Sequence, residues 1–235
     1  DIMGRFTKSE LLAQIKGNLI VSCQATKNEP FFGPENVTRF ALAALNGGAK
    51  GIRANTVPDV AAIMAAVGVP VLALIKRDYD NSPCYITPTM REVDELVEIN
   101  ADVVAVDATL RIHPDGQTGA EFIAEIRRRY PDLIIMADIA TFEEGVQAAE
   151  AGADLVSTTL SGYTDDSPKI EGPDFELIEK LAKTISVPVI GEGRIWTIED
   201  YREAFNRGAY CVVIGSAITR PHEITKRFVQ SREIK

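Results

Sequence analysis

Eight apolar runs of strand length, separated by segments with helical spacing, constrain the fold of this chain more than any other feature. The runs are NLIVSCQA (18–25), KGIRAN (50–55), VPVLALIK (69–76), DVVAVDAT (102–109), DLIIMADI (132–139), DLVSTTLS (154–161), VPVIGEG (187–193) and CVVIGSA (211–217). Most are apolar at consecutive positions, the pattern of a strand buried on both faces. The intervening segments, such as PENVTRFALAALNGG, TMREVDELVEIN and AEFIAEIRRRY, place apolar residues three and four apart and so present one apolar face. Strands covered on both sides by alternating helices form a parallel sheet. Eight such units predict an α/β fold, a single (β/α)8 TIM barrel over residues 1–235, with residues 1–16 as an N-terminal extension or helix. A doubly wound open sheet shares the alternation, but no long crossover or second domain accompanies it here. Asp1 and Ile2, ahead of Met3, are left out of this reading.

A weak internal repeat supports the division. The even-numbered strands enter through NGGAKGI, INADVV, EAGADLV and NRGAYCV, where Gly or Asn supplies a left-handed cap to the preceding helix. The later odd-numbered strands enter through proline, in GVPV, YPDL and SVPV. Thr141, Asp174 and Thr197 stand where helix N-caps belong, with acidic residues in the turn that follows. A last helix is expected from about His222 to Gln230.

Barrel chemistry sits at the carboxyl ends of the strands. Those positions hold Gln24, Arg53, Asn55, Lys76, Asp107, Asp138, Thr159, Ser161, Glu192, Arg194 and Ser216, a polar ring suited to an anionic ligand and acid–base work. Residues two apart share a face of a strand. Leu72, Leu74 and Lys76 therefore align, as do Ile134, Met136 and Asp138, and Ile190 and Glu192. If the apolar members fill the barrel, Lys76, Asp138 and Glu192 crown it and Arg77 points away. A structural ion pair between Lys76 and an acid such as Asp138 is the competing reading. Burial would lower a lysine pKa and raise a glutamate pKa, toward the range useful for base and acid. GEGR (191–194) and GSAITRP (215–221) end strands seven and eight with glycines that let backbone N–H groups approach an anion, the usual place for a phosphate in such barrels. Arg194 and Arg220 add positive charge there.

Composition narrows the partners. A net charge of −9 argues against a general nucleic-acid surface, because that binding rests on many basic residues. No run is long enough to span a membrane and no apolar leader block opens the chain, so a cytoplasmic protein is expected. Cys23, Cys84 and Cys211 form no C-x-x-C pair, so no thiolate metal site is expected, and Cys23 reads as core. His113 and His222 read as surface-loop residues and support no triad. Tyr163 and Trp196 either wall the mouth or cover apolar surface.

The segments GNLIVSCQA, GIRAN, ALIKRDY, VVAVDAT, MADIAT, VSTTLSGYT, VIGEGR and VIGSAITRP, in order and spacing, resemble the N-acetylmannosamine-6-phosphate 2-epimerase family over residues 17 to 231. The resemblance implies reversible inversion at C2 between N-acetylmannosamine 6-phosphate and N-acetylglucosamine 6-phosphate, in the catabolism of sialic acid and amino sugars, with no cofactor or metal. It implies Lys76 and Glu192 as catalytic residues, and Gln24, Arg53 and Asp138 as substrate-binding. Gly193, Arg194, Gly215 and Ser216 would hold the phosphate. The small-molecule partner would be a phosphorylated N-acetyl amino sugar, and the family suggests a homodimer. NSPCYITPT is also family-like, whereas TKNEPFFGPEN reads as a variable insert. Two other readings remain open: an aldolase in which Lys76 forms a Schiff base, and a non-catalytic sugar-phosphate sensor.

Overall fold

The computed structural model describes residues 4–232; Asp1 and Ile2 lie outside them. Helix α1 (Lys8–Ile15) comes first, and strands and helices then alternate: β1 (Leu19–Cys23), α2 (Pro34–Asn46), β2 (Gly51–Asn55), α3 (Val57–Ala66), β3 (Val71–Leu74) and α4 (Met90–Glu98). The series continues through β4 (Val103–Asp107), α5 (Gly119–Arg129), β5 (Ile135–Asp138), α6 (Phe142–Ala151), β6 (Leu155–Ser157) and α7 (Phe175–Thr184). It ends with β7 (Val189–Glu192), α8 (Ile198–Asn206), β8 (Cys211–Ile214), α9 (Ser216–Thr219) and α10 (Pro221–Gln230). Each strand pairs in parallel with its neighbour in sequence, and β8 closes on β1. The fold is therefore the closed (β/α)8 barrel expected from the alternation. No helix among the described residues is long and apolar enough to cross a membrane.

Two apolar layers follow from the period of two along each strand. Residues such as Val21, Cys23, Ile52, Val104 and Val212 face outward and pack under the helices. Ile20, Leu72, Leu74, Met136, Leu155, Ile190, Cys211 and Val213 face inward and fill the barrel. Leu11 and Ile15 of α1 are fully buried in that inner layer, so the segment ahead of β1 is part of the core. Thr7 and Glu10 form a capping box that starts α1. The Tyr210 hydroxyl donates to the Leu12 carbonyl at 2.7 Å and anchors the helix to the entrance of β8. Each buried aliphatic side chain contributes about 1.5–3 kcal/mol by leaving water.

The turn chemistry matches its expectation. Gly48, Asn100, Gly152 and Gly208, one before each even-numbered strand, all have positive φ, at 100°, 57°, 114° and 102°. Thr141, Asp174 and Thr197 each accept a backbone N–H in the first turn of α6, α7 and α8.

β6 is shorter than its apolar run, which extends to residue 161. Beyond Ser157 the Thr158 hydroxyl donates to the Glu192 carbonyl at 3.0 Å and accepts the Glu192 N–H at 3.1 Å. A side chain thus replaces the backbone ladder there, and the freed chain turns over the mouth. At β3 the reverse occurs. Lys76 and Ile86 form an antiparallel bridge, and the Asp107 N–H donates to the Ile86 carbonyl at 3.0 Å. Residues near 86 therefore fill the gap between the upper ends of β3 and β4.

Candidate active site

The carboxyl ends of the strands surround a cavity of about 440 Å³. Its walls include Gln24, Arg53, Lys76, Tyr85, Thr159, Glu192, Gly193, Arg194, Gly215, Ser216 and Arg220.

Lys76 is held by its backbone. Its N–H donates to the Asn55 Oδ1 at 2.8 Å, and the Ile86 bridge fixes the segment from the other side. The Thr87 hydroxyl supports that segment by donating to the Ala105 carbonyl at 2.6 Å while accepting the Ile75 N–H at 3.2 Å. The Lys76 Nζ, by contrast, makes no ion pair or hydrogen bond with the described residues. Water reaches the side chain, but the cavity walls displace much of the bulk solvent around it. That desolvation, and then the positive charge of Arg53, hold its pKa below the ordinary lysine value. The Lys76–Asp138 ion pair considered above does not form. Arg77 points away as alternation requires, and pairs with Glu92 at 3.0 Å and Glu95 at 2.9 Å beside α4.

Asp138 is paired with Arg53 instead. The guanidinium meets both carboxylate oxygens, at 2.9 and 2.6 Å, and reaches the Glu192 Oε2 at 3.1 Å. Arg53 is 2% exposed and Asp138 fully buried. Asp138 is not among the residues that line the cavity and reaches it through Arg53 and Thr159. It also faces the Thr159 hydroxyl at 2.5 Å. Glu192 sits at the end of β7, four strands from β3 and so across the barrel from it. Its Oε2 meets Arg53, Ser157 and Thr159, while Oε1 has no hydrogen bond among the described residues. Burial raises the Glu192 pKa, and the nearby Asp138 adds to that, against the opposing pull of Arg53.

The ends of β7 and β8 form a second wall. Gly193 and Arg194 both have positive φ, 107° and 58°, and Arg194 is not a glycine. That backbone costs about 1–3 kcal/mol, and it turns both residues toward the cavity. The Arg194 Nε is buried without a partner among the described residues, and its guanidinium lies 5.9 Å from the Tyr163 ring centroid. Gly215 and Ser216 open the short α9, whose first N–H groups have no partner within the helix. Gly193, Arg194, Gly215 and Ser216 are thus brought together on one side of the cavity. Gln24 lies next to them, donating to the Ser22 Oγ at 2.9 Å, and its own Oε1 has no partner among the described residues. Arg220 is engaged by Glu29, at 2.5 and 3.1 Å.

His113 differs from its expectation, being 1% exposed. Its Nδ1 donates to the Pro88 carbonyl at 2.8 Å, since a carbonyl can only accept, and its Nε2 has no hydrogen-bond partner among the described residues and lies 3.9 Å from Asp107. Cys84 completes a buried group with these two, set apart from the cavity. Burial pushes the Cys84 thiol up to about 12, and Asp107 is already bound by Thr109 and Arg111. His222 is a surface residue, 3.4 Å from Glu29. Trp196 and Tyr163 both line the cavity, and Arg227 stacks on Trp196 at 4.1 Å. The strand-end reading missed Tyr85, Ser157 and Ser22. Tyr85 reaches the cavity only because residues near 86 insert between β3 and β4. Ser157 and Ser22 lie two residues before Thr159 and Gln24, and carrying the alternation one step deeper finds both.

Comparisons with known proteins show the family. Residues 37–233 match the family described as "Putative N-acetylmannosamine-6-phosphate epimerase". A protein of Caldanaerobacter subterraneus named "Putative N-acetylmannosamine-6-phosphate 2-epimerase" is 53% identical over 94% of this chain and 93% of its own. One of the same name from Clostridioides difficile is 47% identical over 95% of this chain and all of its own. The solved N-acetylmannosamine-6-phosphate 2-epimerase of Clostridium perfringens superposes with a TM-score of 0.90 at 47% identity, covering 96% of this chain and 97% of that one. A thiamine phosphate pyrophosphorylase from Pyrococcus furiosus shares the fold, with a TM-score of 0.62 at 20% identity and 88% and 89% of the two chains covered. By profile, identity and superposition alike, the chain belongs to the N-acetylmannosamine-6-phosphate epimerase family of isomerases.

Proposed function

We propose that the protein interconverts N-acetylmannosamine 6-phosphate and N-acetylglucosamine 6-phosphate by removing the C2 proton on one face and returning one on the other. One base cannot reach both faces of a fixed substrate. The observation that carries the reading is the placement of a lysine of lowered pKa, unpaired among the described residues, and a partly buried glutamate of raised pKa on opposite strands of one cavity. In the manno-to-gluco direction Lys76 takes the proton and Glu192 supplies one, with the roles exchanged in reverse. Arg53 faces the cavity as a fixed donor to charge developing on the neighbouring oxygen. The phosphate sits against the backbone N–H groups and side chains of Gly193, Arg194, Gly215 and Ser216. The Gln24 Oε1 is an acceptor for a substrate N–H or O–H. Asp138 acts through Arg53 and Thr159, without touching the sugar.

The inversion is redox-neutral and needs only proton transfer, so the reading includes no cofactor or metal. Its biological setting is amino-sugar catabolism, sialic acid included, by a cytoplasmic homodimer that binds no nucleic acid. Sedimentation velocity tests the dimer. The reaction is tested by incubating the protein with N-acetylmannosamine 6-phosphate in deuterated water and following C2 by NMR. The gluco epimer carrying deuterium at C2 is the expected product. Absence of that epimer would shift the reading to a sensor, and a product trapped on Lys76 by borohydride would shift it to an aldolase.

A further inference from the structure

Glu192 belongs to a cluster of oxygens with more short contacts than hydroxyl hydrogens to fill them. The Thr159 Oγ1 lies 2.5 Å from the Asp138 Oδ1, 2.6 Å from the Glu192 Oε2 and 2.7 Å from the Ser157 Oγ. Each of these oxygen pairs is at bonding distance and needs one hydrogen between its members. A threonine hydroxyl has one hydrogen and two lone pairs, and a serine hydroxyl the same. The two hydroxyls therefore supply two hydrogens for three short contacts. Were Asp138 and Glu192 both ionised, one of them would face a bare lone pair of Thr159.

We propose that Thr159 is a positioning residue that keeps Glu192 in its neutral, proton-donating form, by accepting the Glu192 carboxyl hydrogen while giving its own to Asp138. This deepens the two-base reading and rests on it for its catalytic meaning. The third hydrogen belongs on Glu192 because Asp138 meets Arg53 through both oxygens, at 2.6 and 2.9 Å, whereas Glu192 has a single Arg53 contact at 3.1 Å. Ser157 then donates to the remaining Thr159 lone pair at 2.7 Å, its longer 3.1 Å approach to the Glu192 Oε2 being left without a hydrogen, and each of the three short contacts holds one hydrogen. The step balances without further reactants. When Glu192 gives its proton to carbon it becomes a carboxylate, and Lys76 has taken one proton from the other face. The Thr159 hydrogen then swings from Asp138 to the Glu192 Oε2, and swings back when Glu192 is reprotonated. Rotation about the Glu192 Cγ–Cδ bond presents the protonated oxygen to the cavity. The other titratable or charged groups around Glu192 are Arg53 on β2, Lys76 beyond β3, Asp138 on β5 and Cys211 on β8. Arg53 also joins the two carboxyl groups, at 2.9 and 3.1 Å, but a guanidinium can only donate, whereas the Thr159 hydroxyl can accept from one and donate to the other.

The sign of one titration separates this role from a plain one. A hydroxyl that only donated to the Glu192 carboxylate would lower its pKa, so that losing the hydroxyl would raise it. A hydroxyl that holds the neutral acid does the opposite. With carboxyl-13C-labelled glutamate, and the Glu192 resonance assigned by its loss in Glu192→Gln, wild-type protein is expected to show a neutral Glu192 at pH 7. Thr159→Val is expected to lower its midpoint by about one pH unit, and Thr159→Ser to restore it. In the epimerase assay Thr159→Val should lose about ten-fold in kcat from manno to gluco with KM within about two-fold. An ionised Glu192 in the wild type at pH 7, or a midpoint raised in Thr159→Val, overturns the proposal. The wild-type midpoint is read directly once folded Glu192→Gln has assigned the resonance, and no titration needs the protein to epimerise anything. Failure of the two-base reading is a different result, the absence of product from the wild type.

Discussion

The two ends of the barrel use their charged residues in opposite ways. At the amino end Leu11 and Ile15 plug the opening, and the charges around them are paired. Arg5 meets Asp102 at 2.7 Å, and Asp154 meets both Lys8 and Arg127 at 2.6 Å. At the carboxyl end the Lys76 Nζ, the Gln24 Oε1 and the Arg194 Nε are without partners among the described residues, and the partly buried Glu192 lies against a second acid. The first end is arranged for stability. The second holds groups in states that folding alone would not choose, as the proposed proton transfer would require.

The largest effect expected is at the carboxyl end. Lys76→Met and Glu192→Gln should each lower turnover by about a hundred- to ten-thousand-fold, measured by NMR of the epimers, with the circular dichroism of the fold retained. Near-normal turnover in either variant would remove the contrast between the ends. At the amino end Leu11→Ala should cost about 2–5 kcal/mol of unfolding free energy, read by urea titration, and leave kcat unchanged where the variant is folded. Asp102→Asn removes a partner of Arg5 and weakens an acceptor for the Val71 N–H, and should cost about 1–3 kcal/mol, again without touching kcat.

Smaller still is a pH dependence whose sign separates the ends. Glu192 has a raised pKa when folded, so its contribution to stability is present below its unfolded pKa, near 4.5, and is lost as pH rises through the folded value. Lys76 has a lowered pKa when folded, so its contribution is present above its unfolded pKa, near 10.5, and is lost as pH falls through the folded value. At neutral pH both groups therefore work against the fold. Glu192→Gln and Lys76→Met should raise Tm there, by scanning calorimetry, while abolishing turnover. A fall in Tm for both would mean that the mouth is built for stability after all.

The carboxyl end was the more legible of the two in the sequence. Alternation along VPVLALIK and VPVIGEG aligns Lys76 and Glu192 with the apolar interior, and the structure sets both on the cavity. Arrangements that join distant segments were not legible. Nothing in KSELLAQI shows that Leu11 and Ile15 enter the barrel, and nothing in NSPCYITPT shows that it bridges β3 to β4 and buries His113 beneath Pro88. Asp138 was placed on the correct face, but its depth below the cavity depends on how far Arg53 reaches across from β2.

The central claim is that Lys76 and Glu192 serve opposite faces of one carbon, and C2 exchange in deuterated water with each variant tests it most directly. Glu192→Gln should still exchange the C2 hydrogen of N-acetylmannosamine 6-phosphate through Lys76, without forming the gluco epimer. Lys76→Met should do the same only for N-acetylglucosamine 6-phosphate, through Glu192. Exchange of both epimers by either single variant would contradict the claim, because one base would then be reaching both faces.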